Sequence, residues 1–158
     1  MKASFGLLVA IISAQALGTA MTNCAADERI LFSCAANKKT ISVCVSPSAL
    51  NNSYVEYRFS AAGKMTFSYR ADASQPKHLF QRVHVTGASS ASTIIWFEND
   101  GYVYLMNDPI KGRPSISVRK DRKTITRMEC TGKFAGDTDI VSPYIQEKTN
   151  DEYFNLLR

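Results

Sequence analysis

Residues that carry most enzyme chemistry are scarce in this chain. Of 158 residues only two are histidine, His78 and His84, and only four are cysteine. On one straight strand the two histidines share a face. Six residues at roughly 3.3 Å each would still set them about 20 Å apart, too far for a catalytic dyad or a shared ligand. Zinc asks for Cys and His at short spacing, whereas the cysteines stand at 24, 34, 44 and 130. No metal or cofactor is therefore expected. The Gly-x-Ser-x-Gly nucleophile turn is missing, as are the phosphate-binding Gly-x-x-x-x-Gly-Lys and Gly-x-Gly-x-x-Gly loops. Fourteen acids are present. Glu56, Glu98, Asp100 and Asp108 fall in expected strands or turns, where a glycosidase-type pair about 5–10 Å apart would have to form by proximity in a sheet. Long apolar runs are lacking too: the longest, Phe5 to Ser13, is far below the ~20 residues of a membrane-spanning helix.

That short run has another meaning. Lys2 precedes it, and Ala14, Ala16, Gly18 and Ala20 follow. The order charged, apolar, small is that of a removable secretory signal, with cleavage after Ala20 preferred over Ala16. The expected organisation is a signal over 1–20, a disulfide-stapled β domain over 21–133, and a tail over 134–158. Location is periplasmic or secreted. Net charge is +5 for the whole chain, or +4 once Lys2 leaves with the signal.

Four cysteines in an exported chain imply two disulfides, with three possible connectivities. A hairpin running from Ile30 to Cys44 and turning at Asn37 sets Cys44 beside Ile30, where the chain from Cys24 arrives. Cys34 is left for Cys130. The pairing favoured is Cys24–Cys44 with Cys34–Cys130.

From residue 30 to 130 the pattern is one of short β runs separated by turn residues. Val55, Tyr57 and Phe59 alternate on one face. Further strands are expected over 64–69, 78–85, 93–97, 102–105, 115–119 and 124–130, and Asp100-Gly101 between two apolar runs is a strong hairpin signal. The fold class is all-β, an antiparallel sandwich or small barrel of about eight to nine strands. Acids in a would-be first turn at Asp151 and Glu152, followed by apolar residues, predict a short C-terminal helix.

One charge feature stands out. Residues 111–133 carry eight cations against two acids, net +6, and residues 134–158 carry net −3. A positive surface steers acidic proteins, glycans or anionic lipid headgroups; the same pattern also describes a solvated hairpin with the acidic tail folded back on it. Nucleic acid is a poor match for an exported chain. The contact residues expected are Arg119, Lys120, Arg122 and Lys123, with Tyr102 and Tyr104 one strand away.

Leu31-Phe32-Ser33-Cys34, Ser42-Val43-Cys44, Tyr57-Arg58-Phe59, Gly101-Tyr102-Val103-Tyr104 and Cys130 resemble, in order, the pattern of a group of small exported cysteine-containing β proteins of Gram-negative bacteria. That resemblance implies location and fold type and supplies no activity. The architecture also looks like that of the small β proteins with which such cells inhibit lysozymes. Their Ser-Gly…Tyr loop is missing, however, and the positive charge disfavours a basic lysozyme. By elimination, the expectation is a non-enzymatic binding protein, an inhibitor or immunity-type protein against an envelope hydrolase or toxin. A glycan- or lipid-binding module is the alternative, and an unrecognised hydrolase the second.

Overall fold

Two-residue turns organise the fold. The structure is a computed structural model describing residues 22–47, 53–131 and 134–158; the expected signal over 1–20, and Lys133, lie outside the described residues. Strand β1 (Arg29–Ala36) turns through Asn37-Lys38 into β2 (Lys39–Val45), and β3 (Tyr54–Ala61) turns through Ala62-Gly63 into β4 (Lys64–Asp72). Strand β5 (Phe80–Thr86) leads to β6 (Ala91–Asn99), which turns through Asp100-Gly101 into β7 (Tyr102–Pro109). Strand β8 (Ser115–Lys120) turns through Asp121-Arg122 into β9 (Lys123–Glu129). In these four turns both central residues have positive φ, from 48° to 78°. Type I′ hairpins require this, and their twist matches that of the strands they join.

The strands form two sheets, ordered β1-β2-β3-β4 and β10-β5-β6-β7-β8-β9, the last element in sequence being β10 (Ile145–Glu147). Every pairing is antiparallel except that of β10 with β5. The fold is a β-sandwich and not a closed barrel, with ten strands among the described residues where eight to nine were expected. The tenth is three residues long with only Ile145 buried, so no alternation marks it in the sequence.

Between the sheets lies the main core. Phe32, Val43, Val55, Tyr57 and Tyr69 come from the first sheet, and Phe80, Ile95, Phe97, Met106 and Ile116 from the second. Ile140 and Ile145 join the same core, so the stretch read as tail is partly structural from 134 onward. Arg82, only 5% exposed, holds it there. Its guanidinium pairs with Glu147 and donates to the Thr138 and Ile140 carbonyls at 2.6 and 2.9 Å. Gly136 passes so close to β1 that a Cβ there would meet the Leu31 carbonyl oxygen at 2.6 Å; only glycine fits.

Each sheet's outer face is covered differently. On the larger sheet, Val83, Ile94, Trp96 and Leu105 pack under helix α1 (Asn150–Leu157), touching Tyr153, Leu156 and Leu157. Thr149 and Glu152 cap that helix with a reciprocal capping box. The smaller sheet's outer face is polar, and residues 22–28 lie across it. Asn23 donates to the Thr40 and Arg58 carbonyls and accepts from Ser60. Glu28 takes both ends of the Arg58 guanidinium at 2.6 and 2.7 Å and also the Tyr54 hydroxyl. Burial raises the Glu28 pKa, but the hydrogen bonds and charge of Arg58, with Tyr54 and the Ala25 N–H, outweigh it and hold the carboxyl below its usual value.

Cys24 is bonded to Cys44 and Cys34 to Cys130. The first bond anchors the segment before β1 to the outer face, and the second ties the two sheets together. Two disulfides belong to an oxidising compartment. Among the described residues no helix is long and apolar enough to cross a membrane.

Candidate functional site

Alternating strand direction sets the two I′ turns of each sheet at one end, and one cleft lined beside the turns of both sheets brings those ends together. The turn residues and their flanking positions include Lys38, Lys39, Lys64, Lys120, Arg122 and Lys123 against Asp100 and Asp121, a net +4 at that end. Behind this ring the sheets part around a cleft of about 280 Å³. Ile41, Tyr57, Phe59 and Phe67 wall it from the first sheet; Tyr102, Tyr104, Ile116, Val118 and Met128 wall it from the second. Lys39 is the charged side chain in the lining. Exposed Met65 and Ile125, 50% and 59% accessible, sit on β4 and β9, the strands that edge the two sheets.

Period-2 alternation delivers these side chains to the cleft. Tyr102 faces Lys120 across the ladder, and Tyr104 faces Val118. The Lys120 ammonium lies 3.4 Å from the Tyr102 hydroxyl and 4.5 Å from its ring centroid, a cation–π geometry. Tyr104 stacks on Phe97 at 4.7 Å, nearly parallel, and on Phe67 at 5.4 Å. The column continues through Tyr69 to His78, at 4.2 and 4.4 Å. These rings form a rigid back wall. Burial raises the Tyr57 and Tyr104 pKa values above the ordinary phenol range, so both hydroxyls stay neutral donors at any physiological pH.

The expected contact residues divide between faces. Tyr102, Tyr104 and Lys120 meet at the cleft mouth, and Arg122 and Lys123 stand in the adjoining turn. Arg119 opposes Val103 and points to the other side of the sheet, where it donates to the Leu157 and Arg122 carbonyls at 2.8 and 2.7 Å. The first-sheet wall, with Lys39, Phe59 and Phe67, went unrecognised in the sequence. Nothing local in those strands says that they face β7–β9 across the sandwich.

Neither histidine lines the cleft, and no acid does among the described residues. His78 lies outside the strands, against Tyr69, so the picture of one strand carrying both histidines is wrong. The turn over residues 73–79 delays β5 until Phe80. His84 is exposed on β5, its Nδ1 3.1 Å from the Thr93 hydroxyl. Glu56 pairs with Arg58 and Arg70. At the far end of the sandwich Asp108 and Asp139 line one shallow pocket with His84. There burial pushes the Asp108 carboxyl up, and Asp139 adds to the effect against a hydrogen bond from Thr138. Cys24, Glu28 and Cys44 lie within metal-ligand distance of one another. Both sulfurs are spent in a disulfide and Glu28 is neutralised by Arg58, so the trio does not fit a metal.

Comparisons of the chain with protein-family models, with curated proteins and with solved structures return no match.

Proposed function

We propose that this is a periplasmic or secreted, non-enzymatic binding protein whose binding end is the ring of four hairpins, and whose ligand is an anionic amphiphile with a single acyl chain. The observation that carries this reading is the pairing of an apolar cleft with a cationic rim. Apolar surface drives the chain inward at roughly 25 cal/mol per Å² buried, and the lysines attract a carboxylate or phosphate head. At about 280 Å³ the cleft is just under the range of about 300–1,000 Å³ typical of small-ligand pockets. It has room for one chain and not for a two-chain lipid.

The test is a titration of the oxidised, secreted protein with a fluorescent acyl carboxylate such as dansyl-undecanoic acid. Saturable binding that laurate displaces, that salt weakens, and that Phe67→Ser or Lys39→Glu reduces supports the reading. Absence of saturable binding, or equal affinity for a cationic amphiphile, overturns it.

A second reading rests on the hairpin tips themselves, four rigid projections on a stapled scaffold. They suit insertion into the acidic cleft of an envelope hydrolase or toxin, as an inhibitor or immunity-type protein would. Affinity capture from envelope and secreted proteins separates the two: one dominant, salt-sensitive hydrolase partner, with no acyl binding, favours the inhibitor.

A further inference from the structure

The cleft at the hairpin end is not uniformly apolar. Tyr57 is only 3% exposed, and its ring is held by Phe97 at 5.0 Å and by Phe67 and Tyr104 at 5.9 Å. The hydroxyls of Tyr54, Tyr69 and Tyr102 are taken up by Glu28, the Leu79 N–H and Lys120. Those of Tyr57 and Tyr104 have no hydrogen-bond partner among the described residues. Among those residues, the partnerless side-chain atoms that are sealed from water are Gln81 Oε1 and Asn107 Oδ1, the latter in a pocket of about 430 Å³ beside α1. The Tyr57 hydroxyl is not sealed, and the residue lines the cleft, so the hydroxyl is reached from there. The two phenols are close enough for charge on Tyr104 to be felt at Tyr57.

Water serves the Tyr57 hydroxyl while the cleft is open to solvent. A plain hydrocarbon chain expels that water and strands a buried donor, which weakens binding by about tenfold. Resting on the acyl reading of the cleft, we propose that the chain it selects carries an oxygen, as a ketone or a hydroxyl, on the half remote from the acid head, and that Tyr57 donates to it. Depth sets the position. Lys39 pairs with Ala61 at the rim, and Val43 pairs with Tyr57. Four residues of strand separate those rows, about 13 Å. Strand side chains stand roughly perpendicular to their sheet, so the phenol meets the chain near that depth. A chain carbon with its hydrogens fills about the volume of a water, ~30 Å³, so a cleft of about 280 Å³ holds about nine of them. A head on Lys39 therefore sets the oxygen near the far end of a medium-length chain. An oxygen next to the head stays at the rim, out of reach of Tyr57.

The experiment is competition against dansyl-undecanoic acid on the oxidised, secreted protein, using acids of one length. These are decanoate, ω-hydroxydecanoate, the decanoate whose penultimate carbon is a ketone, and α-hydroxydecanoate. At least one of the two distal-oxygen acids should bind more tightly than decanoate, which identifies the oxygen, and α-hydroxydecanoate should show no such gain. Tyr57→Phe keeps the ring and its stacking; it should lower the ratio of decanoate Kd to distal-oxygen Kd about tenfold. Saturable decanoate binding at least as tight as that of both distal-oxygen acids overturns the proposal and leaves the acyl reading standing. So does a preference that survives Tyr57→Phe, or an equal gain from the α-hydroxyl. If the probe itself does not saturate and no acid competes, the acyl reading fails and this proposal falls with it.

Discussion

Removing the two disulfides separately tests what each one holds. Cys34 and Cys130 are 96 residues apart and Cys24 and Cys44 are 20 apart. If a crosslink acts by restricting the unfolded chain, its loss costs about 4.7 kcal/mol for the long loop and about 3.3 kcal/mol for the short one. Packing widens the gap. Cys34 is fully buried and Cys130 is 4% exposed within the inter-sheet core, so alanine there also removes core contacts, whereas Cys44, though fully buried, lies outside that core and Cys24 is only partly buried. Function should split the same way. Cys34 opposes Ile41 on β2, and Cys130 follows Met128 on β9 by two residues; Ile41 and Met128 both line the cleft. The assay is equilibrium urea unfolding of C34A/C130A and C24A/C44A, followed by circular dichroism and by fluorescence of Trp96, the sole tryptophan. C34A/C130A should be the less stable by about 1.4 kcal/mol or more and should lose binding of the acyl probe; C24A/C44A should keep it. The reasoning fails if C24A/C44A is equally or more destabilised, or if acyl binding survives loss of the inter-sheet bond.

Two carboxylates should move the pH profile in opposite directions. Glu28 has a depressed folded pKa, so its contribution is complete above the unfolded value and is lost as pH falls through the folded one. Its side chain is 1% exposed. Breaking such a pair costs about 3–5 kcal/mol, and retention of Glu56 on Arg58 sets the lower end, so Glu28→Gln should cost about 3 kcal/mol at pH 7 and flatten the acid limb; an unchanged urea midpoint would refute the clamp. Asp108 has a raised folded pKa, so its ionisation opposes folding once pH rises past the unfolded value. Asp108→Asn should raise the thermal midpoint at pH 7 and leave it unchanged well below the unfolded pKa, whereas a drop at pH 7 would mean that the carboxylate is held by a partner and not merely desolvated.

Much of the framework could be read along the chain because it depends on near neighbours. Asp100-Gly101 and Asn37 announced their hairpins, since the I′ turn needs positive φ and these residues tolerate it. The hairpin register placed Cys44 beside Ile30, as the ladder has it, and this narrowed the disulfide pairing. Alternation also contained a clue that went unused: if Lys120 shares a face with Tyr102, then Arg119 must point the other way. Its grouping with Lys120 followed charge clustering and ignored the period of the strand. Arg82 gave no warning at all. In sequence it is one cation between polar and apolar strand residues, and only the return of residues 137–147 across β5 makes it a buried anchor.

The sequence by itself determined the use of all four cysteines in disulfides, the all-β character and the tight turns at Asn37 and Asp100-Gly101, because each follows from residue type and spacing over a few positions. Tertiary structure decided which faces meet. The cleft is made by side chains from strands up to about ninety residues apart, and its existence depends on how two twisted sheets stack. The pocket beside α1 likewise exists only because a short capped helix lies across one half of a sheet face and leaves the other half open. Local periodicity tells a side chain which way to point, but what stands opposite it is set by the path of the whole chain.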